Sequence, residues 1–155
     1  MNIIHPSVDS KCSMGHFNVI GENVVIGESK LGNYCEIREN VKIGDNCILQ
    51  GKIKIAKDTV LEDDVILKYG VILTDKVHVK KNCFIGPNVI TLGGTHKRET
   101  LFGTVLGENC YIGGGSQIAA GVQICADVII GAMTFVNKDI DTPGTYVGVP
   151  HKRIK

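Results

Sequence analysis

From Val8 onward an aliphatic residue opens a six-residue unit again and again. Met14, Ile20 and Ile26 follow; a single five-residue step then leads to Leu31, and Ile37, Ile43, Leu49, Ile55, Leu61, Leu67, Leu73, Val79 and Ile85 continue the series. The rhythm stops there and resumes at Leu106, running through Ile112, Ile118, Ile124, Ile130 and Val136. An amphipathic helix places apolar residues every three or four positions, and a two-sided strand alternates, so a six-residue module fits neither. It fits a short strand, a bend and another short strand, with the aliphatic side chain turned to a narrow interior. Three such bends close a triangular coil of about 18 residues, and coils stack at about 4.8 Å, the ordinary spacing of hydrogen-bonded strands. The twenty hexads predict an all-β, parallel β-helix of six to seven triangular coils, with hexads over 8–90 and 106–141.

The other positions of the unit carry structure too. Position two is glycine nine times, at Gly15, Gly21, Gly27, Gly32, Gly44, Gly86, Gly107, Gly113 and Gly131, which predicts tight corners. Position five is small or β-branched, as at Val24, Val41, Thr59, Val65, Val89 and Val128, and predicts a second inward site. Five of the six cysteines, Cys12, Cys35, Cys47, Cys83 and Cys110, fall at that position, and no CxxC pair exists. Their spacing follows the hexad, so they read as reduced thiols in a reducing compartment rather than as a disulfide framework or zinc cluster.

Charge is balanced, with 17 basic against 16 acidic residues, which argues against nucleic acid as a partner. The start, MNIIHPSVDS, has no cationic segment leading into an apolar one, and no apolar run approaches the length that spans a bilayer. A single soluble cytoplasmic domain over 1–155, without membrane insertion, is the expectation. Its one interruption is 91–105, TLGGTHKRETLFGTV, an excursion from the coils that carries His96. A monotonous scaffold that pauses once, at a polar loop with a histidine, is expected to put its chemistry there, against the plainer reading of a surface histidine.

The runs IGENVV, IGDNC, LGENCYIGGGSQIAAGVQI and VIIGAMTFVNKDI, ending in GVPHKRIK, resemble the hexapeptide-repeat acyltransferases. The resemblance implies a left-handed coil and a homotrimer with the acetyl-CoA site between neighbouring subunits. Residues 106–155 look like the corresponding segment of maltose and galactoside acetyltransferases. HPS near the start, and LEDDVI before FIGPNVI, look more like acetyltransferases acting on nucleotide-linked amino sugars. On this likeness His96 matches the general base, which takes a proton from the attacking acceptor. Lys97 and Arg98 would disfavour its charged form, or Glu99 would orient its ring. Carried over in the same way, Gly114, Ala132 and Asn137 contact coenzyme A along the coils, and Lys152 and Lys155 in the tail 142–155 meet its phosphates. His151 stands where relatives have a small residue.

Backbone N–H groups of Gly113-Gly114-Gly115 are the expected oxyanion donors, because absent side chains let a ligand come close. The expected activity is transfer of acetyl from acetyl-CoA to the amino group of a nucleotide-linked amino sugar, with a sugar hydroxyl as the alternative acceptor. A non-catalytic scaffold is a different class of answer. So is zinc-dependent hydration, since His78 and His96 lie one coil apart; no third ligand accompanies them, and no metal is expected. His5 and His16 read as surface residues.

Overall fold

The computed structural model describes residues 1–94 and 103–155. Among them there is no helix, and the strands form three parallel sheets that wind as a left-handed coil of about eight turns. Face A has eight strands: Ile3–Ile4, Val19–Ile20, Glu36–Ile37, Lys54–Ile55, Ile72–Leu73, Ile90–Thr91, Gln117–Ile118 and Phe135–Val136. Face B has seven: Asp9–Ser10, Val25–Ile26, Lys42–Ile43, Val60–Leu61, His78–Val79, Val105–Leu106 and Gln123–Ile124. Face C has nine, from Ser13–Met14 through Lys30–Asn33, Ile48–Gly51, Ile66–Leu67, Phe84–Ile85, Tyr111–Ile112, Val128–Ile130 and Gly144–Val147 to the antiparallel Lys152–Arg153. The stack thus begins before the first counted hexad and outlasts the last, because Ile3–Ile4 and Gly144–Val147 join the ladders at its two ends.

Each two-residue strand holds positions six and one of the hexad. Position one points inward with position five, and the core is an unbroken file of such residues: Ile20, Val24, Ile37, Val41, Leu49, Ile55, Val65, Leu73, Val89, Ile112, Ile124 and Val136 among them. The frame is displaced at the start. Ser10 lies in register with Ile26, so Val8, taken from the rhythm as position one, stands in the position-five column beside Val24. The first coil is shorter than those in the middle of the stack: Ile3 pairs with Val19, whereas Lys54 pairs with Ile72.

Position four is the corner that turns the chain. Asn23, Asn40, Asn46, Asp58, Asp64, Asn82, Asn88, Asn109 and Asp127 all take positive φ there, as Gly70, Gly115 and Gly121 do. Asn and Asp tolerate the left-handed region best among residues with a side chain. They also bond along the corner: Asn82 Nδ2 donates to Asn109 Oδ1 and Asn109 Nδ2 to Asp127 Oδ1, each at 3.0 Å. The five-residue step from Ile26 to Leu31 deletes this residue, and no residue from Val24 to Asn33 takes a positive φ. Ser29 takes the inward place, donating to Gly44 O and accepting the Cys47 N–H, both at 2.8 Å.

The position-two glycines serve close approach. A Cβ on Gly32 would overlap the Gln50 carbonyl, and one on Gly113 the Ala132 amide. Cys35, Cys47, Cys83 and Cys110 are buried thiols, with Cys12 and Cys125 half-buried. The Cys110 thiol, and then burial, push the Cys83 thiol up.

Candidate functional site

The excursion leaves the stack at the corner between faces A and B, where other coils use three residues, such as Thr74-Asp75-Lys76 or Ala119-Ala120-Gly121. Both of its feet are held. Thr91 occupies the inward position where the rhythm calls for an aliphatic residue, and it is fully buried. Its Oγ1 accepts the Thr74 N–H and bonds Thr74 Oγ1, both at 2.9 Å, while Leu92 N–H donates to Ile118 O at 2.8 Å. On the return, Gly103 lies so close to the Lys76 carbonyl that a Cβ would overlap it, and its own carbonyl accepts Gln123 Nε2 at 3.1 Å. Thr104 O takes the His78 N–H at 2.9 Å. His96, with Lys97, Arg98 and Glu99, falls outside the described residues.

Beside the returning foot stands a pair that sequence reading did not join, having set His78 only against His96. His78 Nε2 lies 2.7 Å from Glu62 Oε1, and Glu62 Oε2 accepts the Lys81 N–H at 3.1 Å. The available signal was a glutamate at position two, where glycine prevails, just under one coil before an outward histidine.

Of the residues assigned to coenzyme A, Gly114 and Ala132 come together at the corner between faces C and A. Gly114 packs over Pro87, and its carbonyl accepts the Met133 N–H at 2.9 Å. Within the Gly113-Gly114-Gly115 turn, Gly113 N–H donates to Ile130 O and Gly115 N–H to Pro87 O, both at 2.8 Å. Gly114 N–H alone of the three has no acceptor among the described residues. Asn137 lies at the other end of the Phe135–Val136 strand, at the corner between faces A and B. Within one chain it does not share the Gly114 corner.

Lys152 and Lys155 are exposed, on a tail that folds back with Val147 opposite Lys152 and Thr145 N–H on Lys155 O at 2.9 Å. His151 is buried beneath that tail, its ring edge-on to Tyr146 and its N–H on Phe135 O at 2.9 Å. Burial, and then Lys138, pull its pKa down, so it packs as a neutral ring over the end of the stack.

Face C turns an apolar column outward: Ile48, Ile66, Phe84, Tyr111 and Ile129 stand in register on successive coils. The Phe84 and Tyr111 rings stack at 4.9 Å. The outward columns of the other faces are broken by polar residues, Glu36, Lys54 and Gln117 on face A, and Lys42, His78 and Gln123 on face B. No helix among the described residues is long and apolar enough to cross a membrane.

A three-sided stack of six-residue units, interrupted once, defines a structural class. The chain folds as a left-handed β-helix built of hexapeptide repeats, and residues 103–138 match the family model for the bacterial transferase hexapeptide (six repeats). It is 34% identical over 82 residues to serine acetyltransferase of Staphylococcus epidermidis, a stretch covering 50% of this chain and 38% of that protein. The chain therefore spans well under half the length of that relative. Among solved structures it is similar to PerB of Caulobacter crescentus in complex with CoA and GDP-perosamine, with TM-score 0.61 and 24% identity over 99% of this chain and 57% of that one. The acetyltransferase domain of PglB from Neisseria gonorrhoeae is similar at TM-score 0.60 and 20% identity, over 99% and 58%.

Proposed function

We propose that the protein transfers an acetyl group from acetyl-CoA to the amino group of a nucleotide-linked amino sugar, in the cytoplasm, and that the transfer takes place in the cleft between subunits of a homotrimer. The observation that carries this reading is the single break in the stack, clamped at Thr91 and Gly103 and bearing His96. A plain scaffold has no use for such a break. The CoA- and GDP-perosamine-bound relative of the same fold supports the choice of donor and acceptor class.

In this mechanism the acceptor nitrogen attacks the thioester carbonyl directly. Imidazole of His96 takes the proton released as the C–N bond forms. The oxyanion forms against Gly114 N–H, and collapse breaks the C–S bond, His96 returning its proton to the departing thiolate. Gly114 and Ala132 leave room for the pantetheine arm, Asn137 is contributed from the adjoining corner, and Lys152 and Lys155 meet phosphate. The test is incubation with acetyl-CoA and a panel of nucleotide amino sugars, simple glycosides and serine, with products identified by mass. An acetylated nucleotide amino sugar is the expected product; acetyl transfer to none of them sinks the reading. A second reading, acylation of a hydroxyl, is favoured by the serine acetyltransferase match, and an ester product from the same panel selects it.

Two further outcomes are expected. Lys152→Ala raises the KM for acetyl-CoA roughly fivefold with little change in kcat, the size of one exposed charge contact; an unchanged KM leaves the tail without a part in binding. Ile129→Asp places a charge in the apolar column of face C, which we assign to the trimer contact. The variant should sediment as a monomer with an unaltered far-ultraviolet spectrum, since the substituted side chain points away from the core. A trimer that survives the substitution moves the interface to another face.

A further inference from the structure

The acyl transfer set out above accounts for one proton and, with an amine acceptor, two must leave. At neutral pH an amino sugar is an ammonium ion with no lone pair, so it loses one proton before it can attack and a second as the C–N bond forms. The overall change, R–NH3⁺ plus acetyl thioester to R–NH–acetyl plus CoA thiol and one H⁺, sends one of these protons to sulfur and the other to solvent. A histidine that shuttles the second to sulfur is not free for the first. We infer that His78 and Glu62 take that first proton, an inference that rests on the amine-acylating reading of the site.

The geometry is that of a base with a fixed orientation. Glu62 is anchored through Oε2 by the Lys81 N–H and presents Oε1 to His78 Nε2 at 2.7 Å. A carboxylate can only accept at that contact, so the neutral ring carries its hydrogen on Nε2 and its lone pair on Nδ1. Nδ1 has no partner among the described residues, and the His78 side chain is 38% exposed, open enough to receive a proton and pass it to water. Protonation at Nδ1 makes an imidazolium that the same carboxylate stabilises.

Position is the second observation. His78 is the Cα partner of Val105, and its N–H is bonded to Thr104 O, so the pair sits against the first residues that return from the excursion. The strands on either side present Val60 and Val105 to it, and Gln123 stands one coil further on. Among the described residues, the other charged groups on the adjoining turns are Lys76 in the turn before, Lys80 and Lys81 in the turn after, and Asp63 and Asp64 beyond Glu62.

A merely structural tie between coils is the competing account, and pH separates the two. With the nucleotide amino sugar that the wild type acetylates, His78→Ala should lower kcat/KM at pH 7 on the order of a hundredfold. The loss should shrink as pH rises past the pKa of the acceptor's own ammonium, where free amine no longer needs the pair, and imidazole added to the buffer should restore rate at pH 7. Glu62→Gln keeps a hydrogen-bonding side chain at the same place while removing its charge, and should show the same pH dependence if His78→Ala does not fold. A loss equal at every pH, without imidazole rescue, overturns the inference, as does wild-type activity in both variants. A wild type that acetylates no amine overturns it together with the amine reading, and so tells the two failures apart.

Discussion

Replacing His96 with alanine lowers acetyl transfer on the order of 10²- to 10⁴-fold, the range that a positioned general base contributes, and leaves the coil stack with its wild-type melting behaviour. The first half follows from chemistry. Neither an amine nor a hydroxyl can complete its attack on a thioester while it keeps its proton, and imidazole is the side chain best able to take one near neutral pH. The second half follows from the way the excursion is tied in. Thr91 bonds Thr74 beneath it, Leu92 bonds Ile118 above it, and Gly103 is closed onto Lys76 and Gln123. The ladders resume immediately, with Val79 in register with Leu106. Bonds among the described residues alone therefore carry the stack across the break. Thiol release from acetyl-CoA, followed in parallel with thermal unfolding, checks both halves. An active variant removes His96 from the mechanism and transfers its role to the remaining candidate base, His78.

Ile112→Ala should destabilise the fold by about 2–5 kcal/mol, the range for emptying a well-packed interior site. Ile112 is fully buried in the inward file of face C, between Ile85 and Ile130 in neighbouring coils. The interior of a prism this narrow is one side chain deep from each face, so little can move in to refill a gap. Corner backbones already touch at Gly86 and Gly113, which blocks collapse of the coils onto each other. Coils contact only their neighbours, so a weakened level also uncouples the stack on either side of it. Urea unfolding should show a lowered midpoint with a broadened or divided transition. A loss below about 1 kcal/mol would mean that the coil closes over the cavity after all.

Much of this was legible in the order of residues, because a repeat repeats its physics. The inward file, the small position-five column with its thiols, and the place of the interruption each follow from side chains recurring at fixed intervals. Several features were not legible. The corner role of position four was missed although Asn and Asp recur there, because the eye follows apolar residues and the left-handed corner needs only a tolerant backbone. The five-residue step acquires a meaning only once that corner is seen, since the residue it deletes is the corner itself. Val8 was read one column away from its true place because the first coil is shorter than those in the middle of the stack, and a rhythm extrapolated backwards cannot register a missing residue.

The candidate site divides in the same way. His96 was marked by where it falls in the rhythm, and Gly114 and Ala132 by motif. That Gly114 alone of its glycine turn has an N–H with no acceptor among the described residues, that Asn137 belongs to a different corner, and that Glu62 grips His78 are all products of coil closure. Period determines which side chains face in, because burial is decided one residue at a time along the strand. Which outward side chains meet is decided by the rise and turn of whole coils, which bring together residues about eighteen apart by amounts that no local pattern records. For this protein the sequence by itself determined the prism and where it breaks; only the tertiary structure decided what stands beside the break.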